Sequence, residues 1–221
     1  MLGTPFTVLA AILAIGHADA RLQADDDESN VVVQTAFACP LVGDPAPSIE
    51  CLDDAGRPWR LAEGLRDADY LVLCFYPGDF GFCTTRQLQK HAARSDEFAA
   101  RRIRMVGVSG DSVETHELYK QSYGFETTLL ADVTGEAARS FGVPVCDGSS
   151  TPAIDACSRQ MLDEFGGNLR VEREITLRRW TFVIDKSGTV IYRNTCVSPI
   201  ADATAVLEFL NERERPKLAD R

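Results

Sequence analysis

The feature that most constrains this chain is an uninterrupted apolar run, Tyr70–Tyr76, that ends in a turn rich in proline and glycine. A run of this length with such boundaries predicts a buried central strand. The turn Pro77-Gly78-Asp79 ends the strand, and the segment from Cys83 onward favours a helix. Cys83 therefore falls at the predicted start of a helix, where backbone N–H groups lack internal partners and carry partial positive charge. Such a position favours the thiolate, which is the reactive form of cysteine.

The rest of the folded part alternates predicted strands with predicted helices, a rhythm that indicates an α/β sheet. The expected elements, in chain order, are a small β-hairpin within 49–61, the Cys83 helix to about Arg101, a buried strand Ile103–Ser109, a helix that starts at an Asp111-x-x-Glu114 capping pattern and reaches about Tyr123, a strand Thr128–Ala131, a helix Thr134–Phe141 closed by Gly142, a hairpin of Trp180–Asp185 with Thr189–Arg193, and a last helix with Ala203, Val206, Leu207 and Leu210 on one apolar face.

The N-terminus has the pattern of a targeting segment. Residues 6–16 are apolar, too few to span a bilayer but suited to a signal peptide, and Ala18-Asp19-Ala20 predicts cleavage after Ala20. No Lys or Arg precedes the apolar stretch, so a short membrane-proximal anchor and an over-extended start codon stay open as alternatives. Export is the expectation, and the cytoplasm is the alternative compartment.

The predicted domain organisation follows from these segments. Residues 1–20 form the signal or targeting segment, 21–38 an acidic disordered spacer, 39–213 the folded domain and 214–221 a tail. Within the domain, residues 144–178 are interpreted as an insertion before the last two strands, with one helix over Ala153–Phe165.

Composition excludes several classes of function. A net charge of −10 argues against nucleic acid or an anionic membrane surface as a partner. Only three histidines are present, no two of the seven cysteines have CxxC spacing, and no Cys/His cluster occurs, so we expect no metal site. His91 and His116 fall on predicted helices, where solvent-facing or structural roles are expected.

The chemistry therefore depends on one thiol and on whatever ionises it. Lowering a thiol pKa from ~8.5 to ~6 requires ~3.4 kcal/mol, whereas a helix N-terminus contributes at best ~2 kcal/mol. A cation should therefore lie beside Cys83. Arg179, which precedes a predicted strand, is the main candidate, and Arg86 on the first turn of the Cys83 helix is the local competitor. A surface position for Arg179, next to Arg178, is the alternative.

The chain resembles the peroxiredoxins of the thioredoxin-like superfamily, and most closely their Q type, or bacterioferritin-comigratory, group. The resemblance implies a thioredoxin-like fold, with Cys83 as peroxidatic cysteine, Pro77 as the proline that shields it and Arg179 as the arginine before the last hairpin. It covers most of residues 41–213 and is found in the stretches LVGDPAPSIECLDDAGRPWRL (41–61), LVLCFYPGDFGFCTT (71–85), VGVSGDSVETHELYKQSYGF (106–125), LLADVTGEAARSFGV (129–143) and RWTFVIDKSGTVIYR (179–193).

The implied reaction is thiolate attack on the O–O bond of hydrogen peroxide or an organic hydroperoxide, as part of antioxidant defence. Cys83 would become a sulfenic acid, a second thiol would convert it to a disulfide, and a thioredoxin-like or other thiol reductant would restore it. The resemblance implies no metal, haem or flavin. A monomer or a homodimer is expected, and the sequence does not decide between them.

The active-site loop departs from the family pattern P-x-x-x-T-x-x-C. It is one residue shorter, and Gly81 stands where the threonine hydroxyl would contact thiolate and peroxide. Thr84 or Thr85 could substitute if the loop rearranges. Arg86 stands where a glutamate is common in the group. These departures predict weakened activity or a reshaped peroxide pocket.

The resolving thiol is open. The position five residues beyond Cys83, where many Q-type members have it, is Leu88. Cys146 and Cys157 in the insertion are the candidates; a structural Cys146–Cys157 disulfide and a one-cysteine mechanism are the alternatives. The remaining cysteines are expected in the apolar core (Cys51, Cys74) or have no assigned role (Cys196).

Two other functions stay open beside the peroxidase. One is a thiol–disulfide exchange protein on the same superfamily fold, against which the absent CxxC argues. The other is a degenerate, non-enzymatic binding protein, for which the missing loop threonine argues.

Overall fold

The apolar run predicted as a central strand lies in the middle of the sheet of the computed structural model, which describes residues 39–147 and 173–215. The elements are β1 Glu50–Asp53, β2 Pro58–Arg60, α1 Leu61–Leu65, β3 Tyr70–Phe75, α2 Phe82–Ala92, α3 Ser95–Ala100, β4 Ile103–Ser109, α4 Val113–Tyr123, β5 Thr128–Ala131, α5 Glu136–Ser140, β6 Val145–Asp147, β7 Ile175–Leu177, β8 Trp180–Asp185, β9 Val190–Asn194 and α6 Asp202–Glu214.

Seven strands form one mixed sheet in the order β2-β1-β5-β4-β3-β8-β9. β3 pairs parallel with β4 and antiparallel with β8, and β4 pairs parallel with β5. Within the sheet, β3 is covered on both sides, which is why its sequence is apolar without alternation. The expectation of an α/β fold with a central mixed sheet, flanking helices and an N-terminal β-hairpin is confirmed.

Apolar side chains fill both faces of the sheet. Alternate residues of β3 point to opposite faces, so Leu71, Leu73 and Phe75 join one core cluster while Val72 and Cys74 join the other. The second cluster is covered by α6, whose apolar face contains the predicted residues Ala203, Val206, Leu207 and Leu210. Within the described part of the chain, no helix combines the length and the apolar character needed to cross a bilayer.

The helix predicted to run from Cys83 to about Arg101 is two helices, and that prediction was wrong. α2 ends at Ala92, and α3 begins at Ser95. The break brings the His91 and Phe98 rings into a stack, with centroids 5.6 Å apart. On a straight helix, residues seven apart are separated by about 10.5 Å along the axis.

The capping pattern at Asp111 was also misassigned. Ser112, not Asp111, is the N-cap of α4, and its side chain accepts a hydrogen bond from the backbone N–H of Thr115. The Asp111 carboxylate is instead fully buried and faces the buried guanidinium of Arg173.

The flanks of the predicted insertion pair with each other. β6 and β7 form an antiparallel two-stranded sheet, so residues 145–147 and 175–177 are regular structure that the sequence pattern did not reveal. The predicted signal segment, the spacer, the helix over 153–165 and the tail beyond residue 215 lie outside the described residues.

Candidate active site

Cys83 lies in the first turn of α2 and is exposed to solvent. The loop before it leaves β3 at Phe75 and reaches Gly81, which is the N-cap residue of α2. Inside the loop, Phe80 has a φ of 59°, and its buried ring packs on Tyr119 with centroids 4.9 Å apart. A left-handed backbone at a bulky residue is costly, and the ring packing compensates for it. The loop therefore presents an exposed thiol at a helix N-terminus on a firmly packed support.

Arg179 approaches this turn from the neighbouring strand. β8 runs antiparallel to β3, with Trp180 opposite Phe75, so the residue before Trp180 lies where the loop to Cys83 begins. The guanidinium donates hydrogen bonds to the amide oxygen of Gln87 and, at 3.2 Å, to the hydroxyl of Thr84. Burial lowers the pKa of Arg179, and the charge of the nearby Cys83 thiolate opposes that shift. Through Thr84 the guanidinium therefore contacts the turn of α2 that carries Cys83.

Arg86, the local competitor, points elsewhere. Its guanidinium lies over the ring of Phe82, 5.4 Å from the ring centroid. Phe82 is itself more than half exposed, with 56% of its surface accessible. Arg86 and Phe82 therefore form a solvent-facing cation–π pair beside the thiol.

The two threonine hydroxyls weighed as substitutes for the missing loop threonine both have partners on the inner side of α2. Thr84 accepts from Arg179, whereas the hydroxyl of Thr85 bonds that of Tyr119 at 2.9 Å. Both residues are buried, and Gly81 contributes no side chain. Of the two hydroxyls, that of Thr84 is joined directly to the arginine.

A buried carboxylate lies behind the arginine. Asp202, the first residue of α6, accepts hydrogen bonds on Oδ2 from Gln87 Nε2 at 2.7 Å, from Thr181 Oγ1 at 3.0 Å and from His91 Nε2 at 3.0 Å. Burial alone would raise the pKa of Asp202, but the interactions with His91 and the hydrogen bonds from Gln87 and Thr181 hold it below its ordinary value. The carboxylate is therefore ionised.

The same oxygen lies 3.7 Å from the Cys74 sulfur. The spacing of Cys74, His91 and Asp202 would suit three metal ligands. Burial, followed by the Asp202 charge, raises the pKa of Cys74 well above its ordinary value, so this thiol is protonated and donates to Asp202 Oδ2. With Asp202 Oδ2 already accepting the donors around it, we interpret the cluster as a hydrogen-bond network.

A second buried network supports the loop itself. His116 Nδ1 lies 2.7 Å from Asp79 Oδ2, and Tyr76 donates its hydroxyl proton to Asp79 Oδ1 at 2.9 Å. Asp111 accepts from the backbone N–H of Asp79 at 2.8 Å and pairs with Arg173. β3 and β4 are parallel, so the segments that follow them meet at one sheet edge, which brings Asp79 and Asp111 together.

Of the other candidate residues, Pro77 is half-buried in the loop, and Cys146 lies exposed on β6. Cys157 lies outside the described residues. The six cysteines of the described part are free thiols. Burial raises the pKa of Cys51 to about 12, as expected for a core cysteine.

Several site residues escaped the sequence analysis. Gln87 and His91 look like ordinary polar residues of a surface helix, yet both are buried, as is His116. One available signal was the spacing of Asp202 and Val206, because residues four apart on a helix share a face. A carboxylate placed in line with an apolar face must have partners if that face is buried.

Comparison with known proteins agrees with this geometry. The sequence profile of the AhpC/TSA family matches residues 42–193. The chain is 27% identical to peroxiredoxin Bcp of Bacillus subtilis over 78% of this chain and 98% of that protein, and 29% identical to the chloroplastic peroxiredoxin Q of Sedum lineare over 72% of each. A crystal structure of peroxidoxin BcpB from Mycobacterium tuberculosis superposes with a TM-score of 0.62 at 26% identity, covering 78% of this chain and 97% of that one.

The sheet order, the exposed cysteine at the start of α2 and the family match over residues 42–193 agree with one another. The fold is the thioredoxin-like fold of the peroxiredoxins. The chain belongs to the AhpC/TSA family, among relatives of the Bcp and Q types.

Proposed function

We propose that this chain is a thiol-dependent peroxidase that reduces hydrogen peroxide and organic hydroperoxides with Cys83. The observation that supports the proposal most directly is an exposed Cys83 in the first turn of α2, whose next residue, Thr84, accepts a hydrogen bond at 3.2 Å from the partly buried Arg179. Since the helix N-terminus alone is insufficient to ionise a thiol, the proposal needs a cation, and Arg179 is a cation that the fold brings to the first turn of α2. The names of the Bcp and Q-type relatives support the same activity.

In the proposed reaction the Cys83 thiolate attacks one peroxide oxygen. An S–O bond forms, the O–O bond breaks, and the departing oxygen takes a proton to leave as water or an alcohol. Cys83 loses two electrons and becomes a sulfenic acid, while the peroxide gains them. Arg179 and the N–H groups at the start of α2 orient the peroxide and stabilise the departing oxygen.

The catalytic cycle is closed by thiols. A second thiol condenses with the sulfenic acid, which forms a disulfide and releases water, and a thioredoxin-like dithiol then reduces that disulfide. Cys146, which is exposed, and Cys157 are the proposed intramolecular partners, and a one-cysteine cycle with an external thiol is the alternative. Pro77 shields the thiol in the proposed site, and Thr84, held by Arg179, replaces the hydroxyl that Gly81 lacks.

The test measures peroxide consumption by the reduced protein. Mass spectrometry of the same samples identifies which cysteines become oxidised. We expect Cys83→Ser to abolish consumption, and Cys196→Ser, which removes another exposed thiol, to leave it unchanged. Equal consumption by wild type and Cys83→Ser would exclude the proposal. Reduction of insulin disulfides without peroxide consumption would instead indicate a thiol–disulfide exchange protein.

A further inference from the structure

A continuous hydrogen-bond chain joins the helix α6 to the arginine of the proposed active site. Arg179 donates to the Gln87 side-chain oxygen, and the Gln87 side-chain nitrogen donates to Asp202 Oδ2 at 2.7 Å. Gln87 is 1% exposed and Asp202 1% exposed, so water does not compete for either contact. We propose that Asp202 is a positioning residue for Arg179 and acts through the amide of Gln87. The proposal rests on the peroxidase function proposed for Cys83.

The two ends of the Gln87 side-chain amide differ in their hydrogen bonding. One end is an acceptor and the other a donor, and a flip exchanges them. If the nitrogen faced Arg179, two sets of N–H donors would oppose each other, and the guanidinium would lose this partner. Since an ionised carboxylate only accepts hydrogen bonds, Asp202 selects the orientation that turns the Gln87 oxygen toward Arg179.

The surroundings of Asp202 fix the position of its carboxylate and keep it ionised. Thr181 and His91 each donate to the same oxygen at 3.0 Å, and the residue begins α6, where the helix N-terminus favours a negative charge. Because Thr181 lies on β8, two residues after Arg179, the strand that contributes the arginine also contributes a hydrogen bond to its positioning carboxylate. Displacement of α6 would therefore reach Arg179 through the side chains of Asp202 and Gln87.

A neutral acceptor at position 87 also has a chemical consequence. The amide oxygen orients the guanidinium without neutralising it, so the positive charge of Arg179 stays available to the Cys83 thiolate and to the peroxide. A carboxylate in direct contact would compete with the thiolate for that charge. In the observed arrangement the Gln87 side chain separates the negative charge of Asp202 from Arg179.

The experiment compares two variants that break the chain with one that weakens the same helix elsewhere. Gln87→Met removes both hydrogen bonds at similar volume, Asp202→Asn removes the charge that sets the amide, and Val206→Ala removes core packing of α6 but touches none of these groups. We expect the rate constant for oxidation of Cys83 by hydrogen peroxide to fall about tenfold in Gln87→Met and in Asp202→Asn, since each substitution disturbs a hydrogen bond to a charged group. Val206→Ala should retain the wild-type rate at a temperature where it is folded.

Two further readouts separate positioning from simple structural damage. The pH midpoint for alkylation of Cys83 should rise in Gln87→Met and stay at the wild-type value in Val206→Ala, because only the former displaces the cation. In a background of Arg179→Met, adding Gln87→Met should change the rate less than about twofold, because a residue that acts through another has no independent effect once that residue is gone.

If Asp202→Asn does not fold, Gln87→Glu tests the same carboxylate. It places a second acid against Asp202, and two adjacent carboxylates share a proton, so the pH–rate profile should gain an inflection that Gln87→Met lacks. Superimposable profiles for these two variants, or wild-type rates in both Gln87→Met and Asp202→Asn, would overturn the inference. If wild type itself consumes no peroxide, the proposed function fails instead, and the two failures are thereby distinguished.

Discussion

Replacing Arg173 by methionine tests whether the loop before Cys83 depends on a buried ion pair. Nε and Nη2 of Arg173 donate to one oxygen of Asp111 at 2.9 and 2.6 Å, and Nη2 also donates to the backbone oxygen of Asp79 at 3.3 Å. The side chains are 3% and 0% exposed. Arg173→Met leaves Asp111 as a buried carboxylate without its cation, although Ser109 and the Asp79 N–H still donate to it.

Breaking a buried pair from one side costs about 3–5 kcal/mol, and the two surviving hydrogen bonds indicate the lower end, about 3 kcal/mol. For a domain of this size that corresponds to a fall in melting temperature of roughly 6–12 °C. Urea unfolding at neutral pH, followed by tryptophan fluorescence, gives the free-energy change directly. Peroxide consumption by the folded variant should also fall, because Asp79 loses a contact that holds the loop.

Arg57→Met is the matched control, since it breaks an ion pair with Asp53 in which the arginine is 76% exposed. We expect it to be much less destabilising than Arg173→Met, because solvent screens an exposed guanidinium. A loss of unfolding free energy below about 1 kcal/mol for Arg173→Met, which is the range of a surface pair, would show that the loop does not depend on this buried ion pair.

Two further predictions concern the same region. Gly110→Ala would place a Cβ 2.6 Å from Ile175 Cγ1 and 2.8 Å from the Ile175 carbonyl oxygen, so we expect a loss of about 1–3 kcal/mol in urea unfolding, and an unchanged midpoint would contradict the packing described here. Burial alone would lower the pKa of His116, but the charges of Asp79 and Asp111 raise it above 6.5. Because its pKa is raised by folding, protonated His116 stabilises the fold. This stabilisation is complete below pH 6.5 and decreases as the pH rises through the shifted pKa. The stability difference between wild type and His116→Gln should therefore shrink toward alkaline pH, and a difference that grows would reverse the assignment.

Much of the fold could be predicted because its strands are local features of the sequence. β4 and β5 have the predicted bounds, since apolar residues predominate in both strands, as is typical of buried strands in a parallel arrangement. The break between α2 and α3 could not be predicted, because the residues around Ala93 contain no helix-breaking signal. It depends on the packing of Phe98 against His91 and the second core cluster.

The candidate active site, like the fold, could be predicted from the sequence only in part. Cys83 could be placed at a helix start because a turn and a helix-favouring segment adjoin in the sequence, and Arg179 because a strand follows it directly. Gln87 and Asp202 could not be linked, since 115 positions separate them. No local pattern indicates that their side chains meet.

From the sequence alone one could predict the seven strands of the main sheet, most of the helices, the single thiol at a helix start and a family resemblance that spans most of the chain. Which polar residues are buried, and which of them contact one another, became known from the three-dimensional fold: Gln87 contacts Asp202 behind the arginine, and Arg173 contacts Asp111 beneath the loop. The physical reason is that hydrophobic periodicity is set by neighbours along the chain, whereas a buried charge is stabilised by donors that the fold brings from distant segments.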